Sequence, residues 1–408
     1  MKKDLHLHQI SKMKKILIAI DSFKGCISSL EAAGAVEEGI KAIYPRCEVL
    51  KLPVADGGEG TVEALVGATA GRICTVEVND PLMQPVLAKY GISGDGHTAV
   101  IEMSAASGLP LVPEDKRNPM LATTYGTGEL IADALDRGCT RFILGIGGSA
   151  TNDAGVGMLQ ALGYRFSDKN GKILGKGGQI LDQVAGIDSS GRNPLLDKAR
   201  FEVACDVGNP FSGKQGAAYV YAPQKGADPQ MVEALDRGLK HFADVVKLHL
   251  HKDINTIPGA GAAGGLGGGL IAFLNAQLKS GIQMALDILH FDDLLENTDL
   301  VITGEGRMDT QTVMGKAPKG IAEAANRKGI PVIALTGNIE DAAAINRIGI
   351  CGVFSIIPYP MTLTDAMNPE TAYRNIRQTV EQLFNWQNTL CKNHAVFSVL
   401  RQFEDIDR

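Results

Sequence analysis

Several absences narrow the chemistry of this 408-residue chain before any motif is considered. There is no G-x-x-x-x-G-K-[ST] segment, which excludes the P-loop as a phosphate cradle, and no H-R-D or D-F-G triplet of the protein kinases. Seven cysteines form no C-x-x-C pair and leave an odd count, so a disulfide framework is not expected and a reducing compartment fits. Positive charge is not in surplus. A net charge of −6 leaves no electrostatic footprint for nucleic acid, so an anionic partner has to be held by local donors. The longest apolar stretch, near residues 266–278, is broken by glycine and too short for about 30 Å of hydrocarbon, which argues against a membrane span. The leader MKKDLHLHQISK lacks the apolar core of a signal peptide, so a cytoplasmic protein is expected.

What the chain has in excess is glycine, 48 residues against a usual share of about 7%. Glycine accumulates where backbone must come close to something or turn with positive φ. Hydrophobic content of 45% is ordinary for a globular protein, and the length suits about two domains of roughly 100 to 200 residues each. A recurrent pattern stands out: an aliphatic run emptying into glycine, acid and hydroxyl residues. It occurs as IAIDSFKG (18–25), LPVADGGEGT (52–61), ILGIGGSATND (143–153), VACDVGNP (203–210) and VITGEGRMD (301–309). Clefts of open parallel sheets form where strand carboxyl ends meet, so five such loops indicate a ligand-handling α/β enzyme.

The opening reads β-α-β-α. KKILIAID is a buried strand, Ser28 and Glu31 spell a capping box before a helix that Pro45 ends, and EVLKLPVAD is the next strand. The last third repeats the alternation, with DLVITGEG, the helix KAPKGIAEAANRKG, the strand PVIALTG and then GVFSIIP. The centre has another texture: TAVIEMSAASGL, the helix PQMVEALDRGLKHFADVVKLH and the glycine-rich PGAGAAGGLGGGL. A central insertion is therefore expected.

Asp56, Glu59, Asp206, Glu305 and Asp309 all follow apolar strands, where acids serve as metal ligands, proton acceptors or simple turn caps. Lys24 and Arg307 lie in loops of the same kind and either counter phosphoryl charge or form solvated ion pairs. Gly147, Gly148, Ser149, Thr151 and Asn152 sit where a helix N-terminus is expected, a position whose free N–H groups bind anions. Gly259, Gly261 and Gly264 form a G-x-G-x-x-G, but INTIP before it is a poor strand. A loop packed at a helix start, with Gly261, Gly264 and Gly265 cradling phosphate, is preferred to a dinucleotide site. The His6/His8 and His249/His251 pairs are too loosely patterned for a metal site, and Cys205 has no local histidine to activate it.

In order, VADGGEGT, EMSAASGL, TTYGTGELI, GIGGSATND, ACDVGNP, PQKGA, GAGAAGGLG and VITGEGRMD closely resemble the bacterial glycerate kinases, the family that includes the glycerate 2-kinases of acid-sugar and glyoxylate metabolism. The resemblance runs from about Lys14 to about Asn388. It implies a phosphotransferase using ATP and Mg²⁺ on D-glycerate, with 2-phosphoglycerate as the expected product. It also implies a flavodoxin-like parallel-sheet domain built from both chain ends (14–66 plus 286–388), with a second α/β domain (67–285) inserted. Residues 1–13 and 389–408 read as extensions. For that reaction Asp56, Glu59 and Glu305 form the acid pool for Mg²⁺, and Lys24 and Arg307 counter charge on the phosphoryl group or the glycerate carboxylate. Asp206 or Asp309 orients the attacking hydroxyl. The 149–153 and 259–268 loops supply backbone donors to the triphosphate. The partner is a small molecule, with neither nucleic acid nor membrane, and a homodimer is left open. The chain departs from the family pattern at Ile20, where proline is frequent, at Cys26 and Ile27, where Ser-Leu is common, and at Met308 in place of isoleucine. Rival readings are a kinase of another small hydroxy acid, a non-catalytic metabolite sensor, or an NAD-dependent dehydrogenase resting on GAGAAG.

Overall fold

A computed structural model describes residues 13–54, 61–309, 312 and 317–404, with the backbone alone at 53, 61, 63, 64 and 391–404. The chain forms two compact units, Met1–Val54 with His290–Arg408, and Ala55–Leu289. Both combine sheets with helices in an α/β architecture.

The first unit holds a five-stranded, wholly parallel sheet. From edge to edge its strands are Gly352–Ser355, Val332–Ile339, Leu300–Met308, Lys15–Ile20 and Glu48–Pro53. Numbered along the chain, the order is 2-1-3-4-5. Helices cover such sheets on both faces, so their strands are continuously apolar rather than alternating. KILIAI is buried from Ile16 to Ile20 without a break. The helix Ser29–Ile43 starts on the capping box the sequence spells: Ser28 Oγ accepts from Glu31 N at 3.2 Å, and Ser28 N donates to Glu31 Oε2 at 2.8 Å. Its small-residue face lies along the long helix Pro369–Glu404. A Cβ on Gly39 would stand 2.8 Å from Arg377 O. That long helix runs through residue 388 without interruption, so the C-terminal extension begins as its direct continuation.

One sequence expectation changes in this unit. VITGEGRMD is not an apolar strand that ends before its polar residues, because the strand persists to Met308. Its pairing carries on as Glu305↔Thr336, Arg307↔Asn338 and Met308↔Ile339. Only Asp309 begins the loop. Neighbouring-strand hydrogen bonds do not depend on side-chain polarity, and they extend the ladder past the point where the apolar pattern stops.

The second unit holds a six-stranded mixed sheet in the order Gln277–Lys279, Arg200–Ala204, Arg141–Gly145, Thr98–Glu102, Pro85–Ile92, Arg72–Asn79. The first four strands are parallel and the last two pair antiparallel. Phe142 and Phe201 stack at 4.8 Å between ring centroids, and Phe166, Phe242 and Phe273 form a second aromatic cluster. The helix Pro229–Leu250 is capped by Asp228, whose carboxylate accepts from Met231 N at 2.8 Å. The helix Thr61–Ala68 belongs to this unit, although the sequence reading set the boundary at 66. Val62 N donates to Glu102 Oε1 at 3.0 Å, and Val66 fills the space that a side chain on Gly91 would need. Tertiary packing, which the β-α alternation does not reveal, assigns it there. No helix among the described residues is long and apolar enough to cross a membrane.

Candidate active-site residues

In the first unit the polar residues gather where the strand Lys15–Ile20 ends and along the last residues of its neighbour Leu300–Met308, which runs on past Glu305 and Arg307. Asp21 N donates to Gly304 O at 2.9 Å, which sets Asp21 beside Glu305 in the parallel register. Both carboxylates are buried, Glu305 to 7% exposure. Glu305 is held by Thr312, whose hydroxyl donates to Oε1 at 2.5 Å. Thr312 also accepts from Asp309 N at 3.2 Å, and its own N–H donates to Asp309 Oδ1 at 3.4 Å. One fully buried threonine therefore ties two of the expected acids together. Arg307 projects outward, 60% exposed, hydrogen-bonded to Glu340 Oε1 and 3.7 Å from Asp309. The bond to Glu340 raises the pKa of the guanidinium, which is charged at any working pH in any case. Lys24 is exposed in the turn that follows Asp21. Gly306 lies under that turn, with room for only one more atom before Phe23 Cα. Asp56 and Glu59 fall outside the described residues.

In the second unit Arg141–Gly145 leads into the 147–153 loop. Gly147 and Gly148 are exposed, and a Cβ on Gly147 would meet nothing within 4 Å. The N–H groups of Gly147, Gly148 and Ser149 make no hydrogen bond among the described residues, whereas Ala150 N is fixed to Ser107 O. Unpaired N–H groups on an open turn form an anion-binding concavity. Ser149 is nearly buried. It accepts a 2.7 Å hydrogen bond from Lys225 Nζ, which also donates to Thr151 O at 2.7 Å. Burial pushes the Lys225 pKa down to about 7, against an upward pull from Asp153. Asp206, at the end of the adjacent strand Arg200–Ala204, is exposed and accepts from Gly281 N at 3.1 Å.

Three expectations are corrected here. First, the helix N-terminus beside this loop is not open to an external phosphate. Asp153 fills it, taking Gly155 N and Gly157 N at 3.2 Å each, together with Thr124 N at 2.8 Å and the Thr124 hydroxyl at 3.0 Å. Burial raises the pKa of this carboxyl, and those donors oppose the rise. Second, Thr151 and Asn152 are fully buried and do not present side chains to a surface ligand. Thr151 Oγ1 and both amide atoms of Asn152 find no partner among the described residues. Third, Gly261, Gly264 and Gly265 do not line a cradle. They are buried, Gly261 N is spent on Asn209 O at 3.1 Å, and Gly265 N on Gly261 O at 3.3 Å. Glycine stands there because a Cβ would collide with Pro210 O at 2.1 Å, with Thr151 O at 2.0 Å and with Phe211 at 2.9 Å respectively.

Sequence reasoning gave Asp21, Thr312 and Lys225 no role. Asp21 carries the same strand-end signal as the acids that were named. Thr312 lies beyond the motif, and a lone lysine in PQKGA is solvated far more often than buried, so neither had a local cue. Burial pushes the Cys205 thiol up and the neighbouring Asp206 charge adds to the rise, which disfavours the thiolate a nucleophile needs; Sγ donates to Val207 O at 3.4 Å.

Known proteins extend this picture over nearly the whole chain. The pattern of the glycerate kinase family matches residues 16–388. A glycerate kinase of Bacillus subtilis (strain 168) is 53% identical over 360 residues, 88% of this chain and 94% of that protein. The glycerate 2-kinase of Escherichia coli (strain K12) is 49% identical over 363 residues, 89% of this chain and 95% of that protein. A crystal structure described as a glycerate kinase 2 from Salmonella typhimurium LT2 superimposes with a TM-score of 0.85 at 49% identity, covering 94% of this chain and all of that one. With a family pattern that spans residues 16–388 and relatives about half identical over most of its length, the chain belongs to the glycerate kinase family.

Proposed function

We propose that the protein transfers the γ-phosphoryl group of ATP to a hydroxyl of D-glycerate, giving 2-phosphoglycerate. Membership of a kinase family implies the use of ATP, and the name of the E. coli relative, a glycerate 2-kinase, supports the 2-position. The observation that carries the reading is the buried Glu305 held by Thr312 beside Asp21, within a strand that also displays Arg307. Phosphoryl transfer needs positioning and charge neutralisation more than covalent chemistry, and this set supplies both. The strand order 2-1-3-4-5 supports the flavodoxin-like reading of the first unit, in which ligands meet strand carboxyl ends.

The donor set suits Mg²⁺, which takes one or two carboxylates and keeps several waters, and no cluster of three or more ligating groups occurs among the described residues. When bound, Mg²⁺ would neutralise charge on the phosphate oxygens, with Glu305 holding it and Asp56 and Glu59 as the further acids of the proposal. Arg307 and Lys24 counter charge on the phosphoryl group or the glycerate carboxylate. Asp206 or Asp309 accepts the proton of the attacking hydroxyl. The Gly147–Ser149 turn offers its N–H groups to anionic oxygens.

A coupled assay of ADP release tests the reading. D-glycerate should drive turnover, EDTA should abolish it, and Glu305→Gln should lower kcat by roughly 10² or more, the scale for loss of a preorganised charge contact. ADP release indifferent to D-glycerate but dependent on another hydroxy acid would overturn the substrate.

A further inference from the structure

A buried ammonium is expensive unless something compensates it, and Lys225 is only 2% exposed. It ends the turn Pro223–Lys225 and is followed by Gly226 at φ +93, where a Cβ would collide with Arg117 O at 2.3 Å, so its backbone has little freedom. Asp153 is the acid that acts on it electrostatically, but that carboxylate is already committed to Thr124, Gly155 and Gly157. The ammonium spends its hydrogen bonds on Ser149 Oγ and Thr151 O, both at 2.7 Å.

The consequence lies in the hydroxyl. A serine has one proton to give, and a lysine in its ammonium form, which a pKa of about 7 leaves dominant only below that pH, has no lone pair to receive it. With Nζ donating to Oγ, the Ser149 proton points away from Lys225, and no acceptor for it occurs among the described residues. Ser149 follows the exposed Gly148, where the N–H groups are also unspent. A hydroxyl that accepts from a cation is polarised and becomes a stronger donor.

We propose that Lys225 is a positioning residue that turns the Ser149 hydroxyl outward as a polarised donor to an anionic oxygen of the ligand, a phosphate of the nucleotide or the carboxylate of the hydroxy acid. This rests on the reading of the 147–149 turn as ligand-binding. Lys225 does not touch the ligand; it acts through Ser149.

The test is a double-mutant cycle on the full chain with Ser149→Ala, Lys225→Met and the double variant. Dissociation constants for ATP and for D-glycerate come from titration calorimetry, alongside turnover and melting temperature. Ser149→Ala should weaken one of the two ligands about tenfold, the scale of a hydrogen bond to a charged group. Lys225→Met should weaken the same ligand, and the double variant should bind no worse than the weaker single variant. Weakened ATP identifies a phosphate, and weakened D-glycerate a carboxylate. If Lys225→Met does not fold, Ser149→Thr, which keeps the hydroxyl, should restore the affinity that Ser149→Ala loses. Unchanged affinities in Ser149→Ala, additive losses in the cycle, or a Lys225→Met that lowers the melting temperature alone would overturn the proposal. Wild-type protein lacking D-glycerate-dependent turnover would overturn the function instead, and the binding measurements keep the two failures apart.

Discussion

A Cβ placed on Gly147 would meet open space, while one on Gly264 would lie 2.0 Å from Thr151 O and 2.5 Å from Asn152 Cα. Glycine serves opposite purposes in these two loops of the second unit. In the 147–149 turn it leaves backbone N–H groups accessible. In the 259–269 loop it lets one backbone pack against another: Ala154 N bonds Gly264 O at 3.0 Å, and Gly269 lies against Ala154 O. The buried loop is the backing on which the exposed one is held. A glycine-rich segment therefore says that something comes close, without saying whether it is a ligand or the protein itself.

Four substitutions would break or sharpen that contrast, taken from the largest expected effect. Gly264→Ala combines a backbone collision with a φ of +69, and should lower unfolding free energy by about 3 kcal/mol or more in a denaturant titration. A wild-type midpoint would mean the two loops are not packed as described.

Lys225→Met probes the buried charge that ties the exposed loop down. The folded pKa of Lys225 is lowered to about 7 from a usual 10.5, so folding disfavours its protonated form. Below about pH 7 both states carry the proton and the full penalty applies. Between 7 and 10.5 the unfolded chain binds more protons, so this group's contribution to stability improves as pH rises. Wild type should therefore gain stability relative to Lys225→Met as pH goes from 7 to 10. Parallel profiles would show that the lysine is not desolvated.

Ser28→Ala lies in the other unit and removes a local capping box, so it calibrates a loss that owes nothing to either loop. About 1 kcal/mol of stability should go, with ligand affinity unchanged. Gly147→Ala should have the smallest effect on stability, within about 0.5 kcal/mol, because the added methyl group meets nothing. Its consequence should appear in ligand affinity. A variant that binds ATP and D-glycerate like wild type would make the open turn a surface feature only.

Much of the framework was legible in the sequence. The buried run KILIAI, the Ser28–Glu31 box and the helix Pro229–Leu250 behind Asp228 depend on neighbours within a few residues, and short-range periodicity and capping chemistry record them. Eight ordered motifs carried the family, while the apolar run before Glu305 did not reveal that its strand continues to Met308. Only tertiary structure decided the rest. Lys225 meets Ser149 across 76 residues, Glu305 is locked by a threonine outside its motif, and Asp153 fills a helix start that would otherwise have read as an anion site. Gly264 is buried against Thr151, and the helix Thr61–Ala68 joins the sheet containing Gly91. In each case the deciding quantity is desolvation or close approach between segments distant in the chain, and no local pattern of residues encodes that.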